Sequence, residues 1–241
     1  SVRLTARSNW SMIGIKQYGL SEVRFFHVPV AASEPQPAHG ATGVAVDTTL
    51  DWRPGREAGS HQVFFGTDQA ALVAGTAPVQ TVSDHGYTPG ALNFGTTYYW
   101  QVNEVNTVHA VTYPGPVWSF TTQEYAAVDD FESYTDDEGS RIYETWIDGW
   151  TNGTGSTVGY IEAPFAERKI VHGGAQSMPL DYNNVKTPFY SEAERTFAPV
   201  QNWTTHGVDT LSLFWRGNAA NGPGKLYVAI EDSTGKVAVV T

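Results

Sequence analysis

LNFGTTYYWQVNEVN, residues 92–106, is the stretch whose reading decides the fold. Tyr98, Trp100, Val102 and Glu104 alternate with Tyr99, Gln101, Asn103 and Val105. A period of two is that of a β-strand, and it puts Tyr98, Trp100 and Val102 on one face. Gly95, just before the run, permits a tight corner that other residues resist. Strand-like runs flank the stretch: TTLDW (48–52) and HQVFFG (61–66) upstream, VWSFTT (117–122) downstream. Short alternating runs broken by Gly, Pro, Asn and Asp fill the rest of the chain, with no long amphipathic helical pattern. The expected fold class is all-β.

The 241 residues suffice for one large domain or two ordinary ones. There is no cysteine, so stability is expected from packed cores and bound metal rather than disulfides. A formal net charge of -11 makes a phosphate backbone a poor partner and argues against nucleic acid. Such a surface suits cations and neutral ligands such as sugars. No run of about 18 apolar residues exists that would span a membrane as a helix. The chain opens at Ser1, with no initiating Met, directly into the strand-like VRLTA, and reads as a piece of something longer.

Several resemblances follow from quoted residues. The spacing of Leu92, Gly95 and Tyr98 resembles the tyrosine corner of immunoglobulin-like and fibronectin type III sandwiches. GVAVDTTLDWRPG (43–55) resembles the opening of the fibronectin type III family, which implies a spacer module over 42–124 with no catalytic residues to transfer. Upstream, 31–41 (AASEPQPAHGA) reads as a Pro/Ala linker. GLSEVRFF (19–26) resembles the last strand of discoidin-type, galactose-binding-like sandwiches, so 1–30 is expected to be the β remnant of a preceding domain.

From VDDFESY (128–134) onward, 126–241 resembles a carbohydrate-binding-module jelly roll that stops short of its last strands. Gly173, Gly174, Ser177, Met178 and the run 180–184 look like an internal strand of those modules. The expected arrangement is a fibronectin type III-like sandwich plus a partial jelly roll, completed by the N-terminal strands within one chain or by swapping in a homodimer. The whole pattern resembles multidomain proteins of planctomycete type, which implies a secreted or cell-surface parent.

Candidate site residues fall in three groups. Trp146, Trp150, Tyr160 and Asn152 supply the flat rings and polar groups that sugars need, stacking for C–H faces and hydrogen bonds for hydroxyls. The alternative is that both tryptophans fill the core. Asp129, Asp130 and Glu132 are hard oxygen donors suited to Ca²⁺. The jelly-roll resemblance implies a structural calcium there, whereas a solvated acidic turn is the plainer alternative.

His61, Glu104 and His109 form the third group. The fibronectin-like resemblance implies that the third strand (61–66) runs antiparallel to the sixth (96–105), which brings His61 towards Glu104 and the loop that carries His109. Two imidazoles and a carboxylate are a zinc-type ligand set with room for water. Three unrelated surface residues are the alternative. The leading function is therefore non-catalytic carbohydrate binding, or a structural piece of a secreted glycan-binding protein. The competing one is a metal-dependent, zinc-type hydrolase of activated esters or phosphoesters.

Overall fold

The computed structural model describes Thr5, Arg24 and residues 28–241. The expected completion of the C-terminal sandwich by the runs 2–6 and 20–28 lies outside the described residues. The described chain is mostly β, with short helices only. It divides into two compact units. One gathers Thr49–Tyr87 and Tyr99–Ser119 with the described residues up to His39; the other gathers Gly40–Thr48, Thr88–Tyr98 and Phe120–Thr241.

The first strands are β1 (Ser33–Gln36), β2 (Ala41–Val44), β3 (Leu50–Arg53) and β4 (Ala58–Gly66). After α1 (Gln69–Val73) come β5 (Val79–Val82), β6 (Gly86–Tyr87), β7 (Thr97–Asn106) and β8 (Val111–Thr122). They form a three-stranded sheet, β1-β3-β6, and a five-stranded sheet, β2-β8-β7-β4-β5. β1 lies inside the stretch read as a linker. It pairs with β3 at the edge of its sheet, a position that tolerates Pro35 because no ladder partner needs its missing N–H.

Period-two patterning places the first unit's core. β7 buries Trp100, Val102, Glu104 and Asn106, β3 buries Leu50 and Trp52, and β4 buries His61 and Val63. Trp100 packs on Trp118 at 4.6 Å and on Trp52 at 6.2 Å, between ring centres. Gly115 sits where the chain passes close to a neighbour: a methyl there would lie 2.4 Å from the Val102 carbonyl oxygen.

In the second unit the corner before β7 is fixed by hydrogen bonds. Asn93 N–H donates to the Tyr98 hydroxyl at 3.0 Å, and the Thr122 hydroxyl donates to the Asn93 carbonyl at 2.7 Å. Gly95 has φ +58° with open space around it, so conformation rather than crowding calls for glycine. Downstream are α2 (Ile142–Thr145), α3 (Gly149–Asn152), β9 (Ser156–Val158), β10 (Leu180–Tyr182), β11 (Val228–Glu231) and β12 (Val237–Val240). β9 pairs with β10 and β11 with β12, both antiparallel. Tyr134, Ile142 and Val158 form a small core, packed by Phe131, Trp146 and Phe165 among others. LSLFW (211–215), which alternates as a strand would, takes no strand structure and stays exposed.

Candidate functional site

β4 and β7 run antiparallel with His61 directly opposite Glu104. Both face the core, at 4% and 0% exposure. His61 Nδ1 is hydrogen-bonded to Glu104 Oε2, while Glu104 Oε1 accepts the Gly55 N–H at 3.1 Å. A carboxylate can only accept, so with Glu104 ionised the ring donates through Nδ1 and its Nε2 is the remaining nitrogen. Pairing is what makes this burial tolerable, because an isolated buried carboxylate would be strongly disfavoured. The Trp52 ring meets His61 edge-on at 5.3 Å. The buried indole N–H groups of Trp52 and Trp100 have no hydrogen-bond partner among the described residues.

His109 does not join this pair. Asn106, itself buried, accepts the backbone N–H groups of Val108 and His109 at 3.0 and 2.9 Å, which folds the β7–β8 connection into a turn. The His109 side chain then approaches Glu57, Nε2 to Oε2 3.6 Å, and is largely exposed. Among the described residues no group of three His, Cys, Asp or Glu side chains is placed to hold a metal ion. Two of the three expected zinc ligands meet, and the third is turned to another carboxylate.

The expected calcium ligands are each engaged by protein donors. Asp129 accepts from Phe131 N–H at 2.8 Å, from the Tyr134 hydroxyl at 2.7 Å, from the Trp146 indole at 2.7 Å, and from Arg195. Burial, together with the Asp129 contact, pushes the Tyr134 phenol up to about 12. Asp130 accepts the Glu132 N–H at 3.0 Å. Glu132 accepts the N–H groups of Ala175 and Gln176 at 2.9 and 3.2 Å, and the Gln176 amide donates back to the Tyr134 carbonyl at 2.8 Å. VDDFESY and GGAQS are thus clasped together by side chains bonded to backbone. Arg195 and Gln176 are essential to this clasp and were not singled out in the sequence, because their partners lie 66 and 42 positions away.

The expected sugar-binding residues separate in the same way. Trp146 is partly buried against the small core, held by Asp129 and packed on Phe131 at 6.0 Å. The Asn152 amide donates to the Glu192 carbonyl at 3.2 Å and to Glu194 at 3.0 Å, so its donors are spent within the protein.

Trp150, by contrast, is 87% exposed on a backbone that cannot easily shift. Asp148 accepts Trp150 N–H at 3.1 Å and Val158 N–H at 2.8 Å, and Gly149 N–H donates to the Ser156 hydroxyl at 2.8 Å. A methyl at Gly149 would sit 2.2 Å from the Thr154 carbonyl oxygen. Tyr160 is 43% exposed, and its hydroxyl donates to Glu167. That bond raises the phenol and lowers the Glu167 carboxyl from their ordinary values. Comparison of the chain with protein families, with curated proteins and with solved structures finds no match.

Proposed function

We propose that this chain is a non-catalytic, carbohydrate-binding β protein from a secreted or cell-surface parent, with Trp150 as its stacking platform. The carrying observation is Trp150 itself: a ring 87% exposed on a four-residue helix pinned at its start by Asp148. Leaving so large an apolar ring in water gains nothing for the fold, whereas a fixed flat ring is what the C–H face of a sugar stacks on. The acidic chain favours neutral glycans at this face. Residues 42–124 are read as a fibronectin type III-like spacer. Supporting this are the β1-β3-β6 and β2-β8-β7-β4-β5 strand orders and the tyrosine pinned at the corner before β7. Residues 126–241 are read as the truncated jelly roll. A glycan array followed by titration with the best neutral hit tests the proposal. Trp150→Ala is expected to weaken binding by about 1–3 kcal/mol with unchanged circular dichroism. An array without hits, or a variant that binds as well as the parent, removes it.

One observation favours a second reading, a metal-dependent hydrolase of activated esters or phosphoesters. His61 is oriented through Nδ1 by a buried carboxylate, the arrangement that holds a metal-ligating imidazole in place and leaves Nε2 for the ion. The described residues do not complete a three-ligand set, so this reading stands second. Elemental analysis of purified protein, and ester hydrolysis with and without chelator, decide it. Metal-free protein or chelator-insensitive turnover eliminates the hydrolase.

A further inference from the structure

We infer that Tyr182 is a second stacking ring beside Trp150, and that the ligand is a linear neutral oligosaccharide rather than a single sugar. The inference rests on the reading of Trp150 as a platform, and extends it by one residue and by the length of the ligand.

Strand pairing places Tyr182. β9 and β10 are antiparallel, with Ser156 directly opposite Tyr182. Directly opposed residues of such a pair project from the same face, their Cα atoms about 4.5–5.5 Å apart. The Ser156 side chain therefore marks the face on which Tyr182 stands. Its hydroxyl accepts the Gly149 N–H at 2.8 Å, so α3 begins on that face too.

Backbone hydrogen bonds place α3 along the sheet. Gly159 N–H donates towards β10, to the Pro179 carbonyl at 3.0 Å. Successive N–H groups of a strand point to opposite edges, and the Val158 N–H goes the other way, to Asp148 at 2.8 Å. Asp148 precedes α3, so the helix flanks β9 on the edge away from β10. Across the surface the order is the helix that carries Trp150, then β9, then the strand that carries Tyr182. Covalent geometry and these contacts hold the two Cα atoms within about 17 Å of each other.

Both rings are open to solvent, Trp150 at 87% and Tyr182 at 53%. Ser156, between them, is buried, its hydroxyl donating to the Glu192 carbonyl. The interval is thus a closed floor and not a pocket. A pocket encloses one sugar, whereas two exposed rings set apart on either side of a strand match separate units of a chain that lies across it.

The test is calorimetric titration of the full chain with glucose and cello-oligosaccharides up to six units, and with the matching xylose and mannose series. In the series that binds, four units are expected to bind at least about tenfold more tightly than one. Tyr182→Ala is expected to erase that gain and to leave the affinity for one unit within about twofold, with unchanged circular dichroism. Tyr182→Phe, which keeps the ring, is expected to keep the gain. Trp150→Ala is expected to weaken short and long ligands alike. Binding that needs Trp150 but is equal for one unit and four overturns this inference and leaves the platform reading standing, as does a gain with length that survives Tyr182→Ala. Binding indifferent to Trp150→Ala, or absent from every series, overturns both.

Discussion

Glu104 and Asp129 are both carboxylates shut away from water, one in the strand-rich part of the chain and the other in its loop-rich part. Glu104 lies on a strand and has two partners, the His61 ring opposite and the Gly55 N–H. Asp129 lies in a turn and has four, drawn from positions 131, 134, 146 and 195. Around Glu104 the surroundings are already ordered by ladders and aromatic packing, so the carboxylate answers one imidazole. Around Asp129 regular pairing is sparse, two three-residue strands and isolated bridges, and the carboxylate gathers segments that no sheet would hold. Polar side chains take over where backbone ladders are short.

This comparison can be broken by mutation. The largest effect is expected at Asp129. Asp129→Ala leaves Arg195 without its ion-pair partner and the Tyr134 and Trp146 donors unsatisfied, at a cost of about 3–5 kcal/mol. Urea unfolding followed by tryptophan fluorescence reads it. A loss below about 1 kcal/mol would show that water replaces the clasp without cost.

The next effect is at the strand pair. Glu104→Ala leaves the His61 and Gly55 donors unpaired, costing about 1–3 kcal/mol for each buried group. The double change His61→Leu with Glu104→Leu is expected to recover much of this, because only the Gly55 N–H remains unpaired and apolar packing substitutes well for a buried polar pair. The same unfolding assay on His61→Leu, Glu104→Leu and the double change closes a double-mutant cycle. A double variant less stable than Glu104→Ala would mean that the pair, not its packing, holds β4 against β7.

The smallest effect comes from an exposed counterpart. His85 Nδ1 lies 2.7 Å from Asp51 Oδ1, with both side chains more than half exposed. The Asp51 hydrogen bond raises His85 above its ordinary 6.5, and the His85 hydrogen bond lowers Asp51 below its ordinary 3.8. The His85 contribution is full below about pH 6.5 and is lost as pH rises through the raised value; the Asp51 contribution is full above about pH 3.8 and is lost as pH falls through the lowered one. The pair therefore stabilises most near pH 5. Asp51→Asn is expected to flatten the melting temperature between about pH 4 and pH 7 and to change little at pH 9. A variant curve parallel to the parent's throughout would show that the pair carries no net stability.

The sequence by itself determined the β class, the face of β7 that is buried, and the approach of His61 to Glu104. The first two follow from a local rule, a period of two that fixes the faces, and the third from the antiparallel third and sixth strands that the fibronectin-like resemblance implies. Trp150 was legible as a candidate platform, but its exposure was not, since Trp146 four positions earlier has the same composition around it and packs, partly buried, against the core. Only the tertiary structure separated them, by giving the Trp146 indole to Asp129 and pinning the backbone of Trp150 with Asp148. It also turned His109 to Glu57, through an asparagine turn whose geometry no spacing encodes. Most decisively it spent Asp129 on donors up to 66 positions away and Glu132 on donors 43 or more positions away. A carboxylate's chemistry is set by which donors reach it, and that is a matter of packing in space, not of order along the chain.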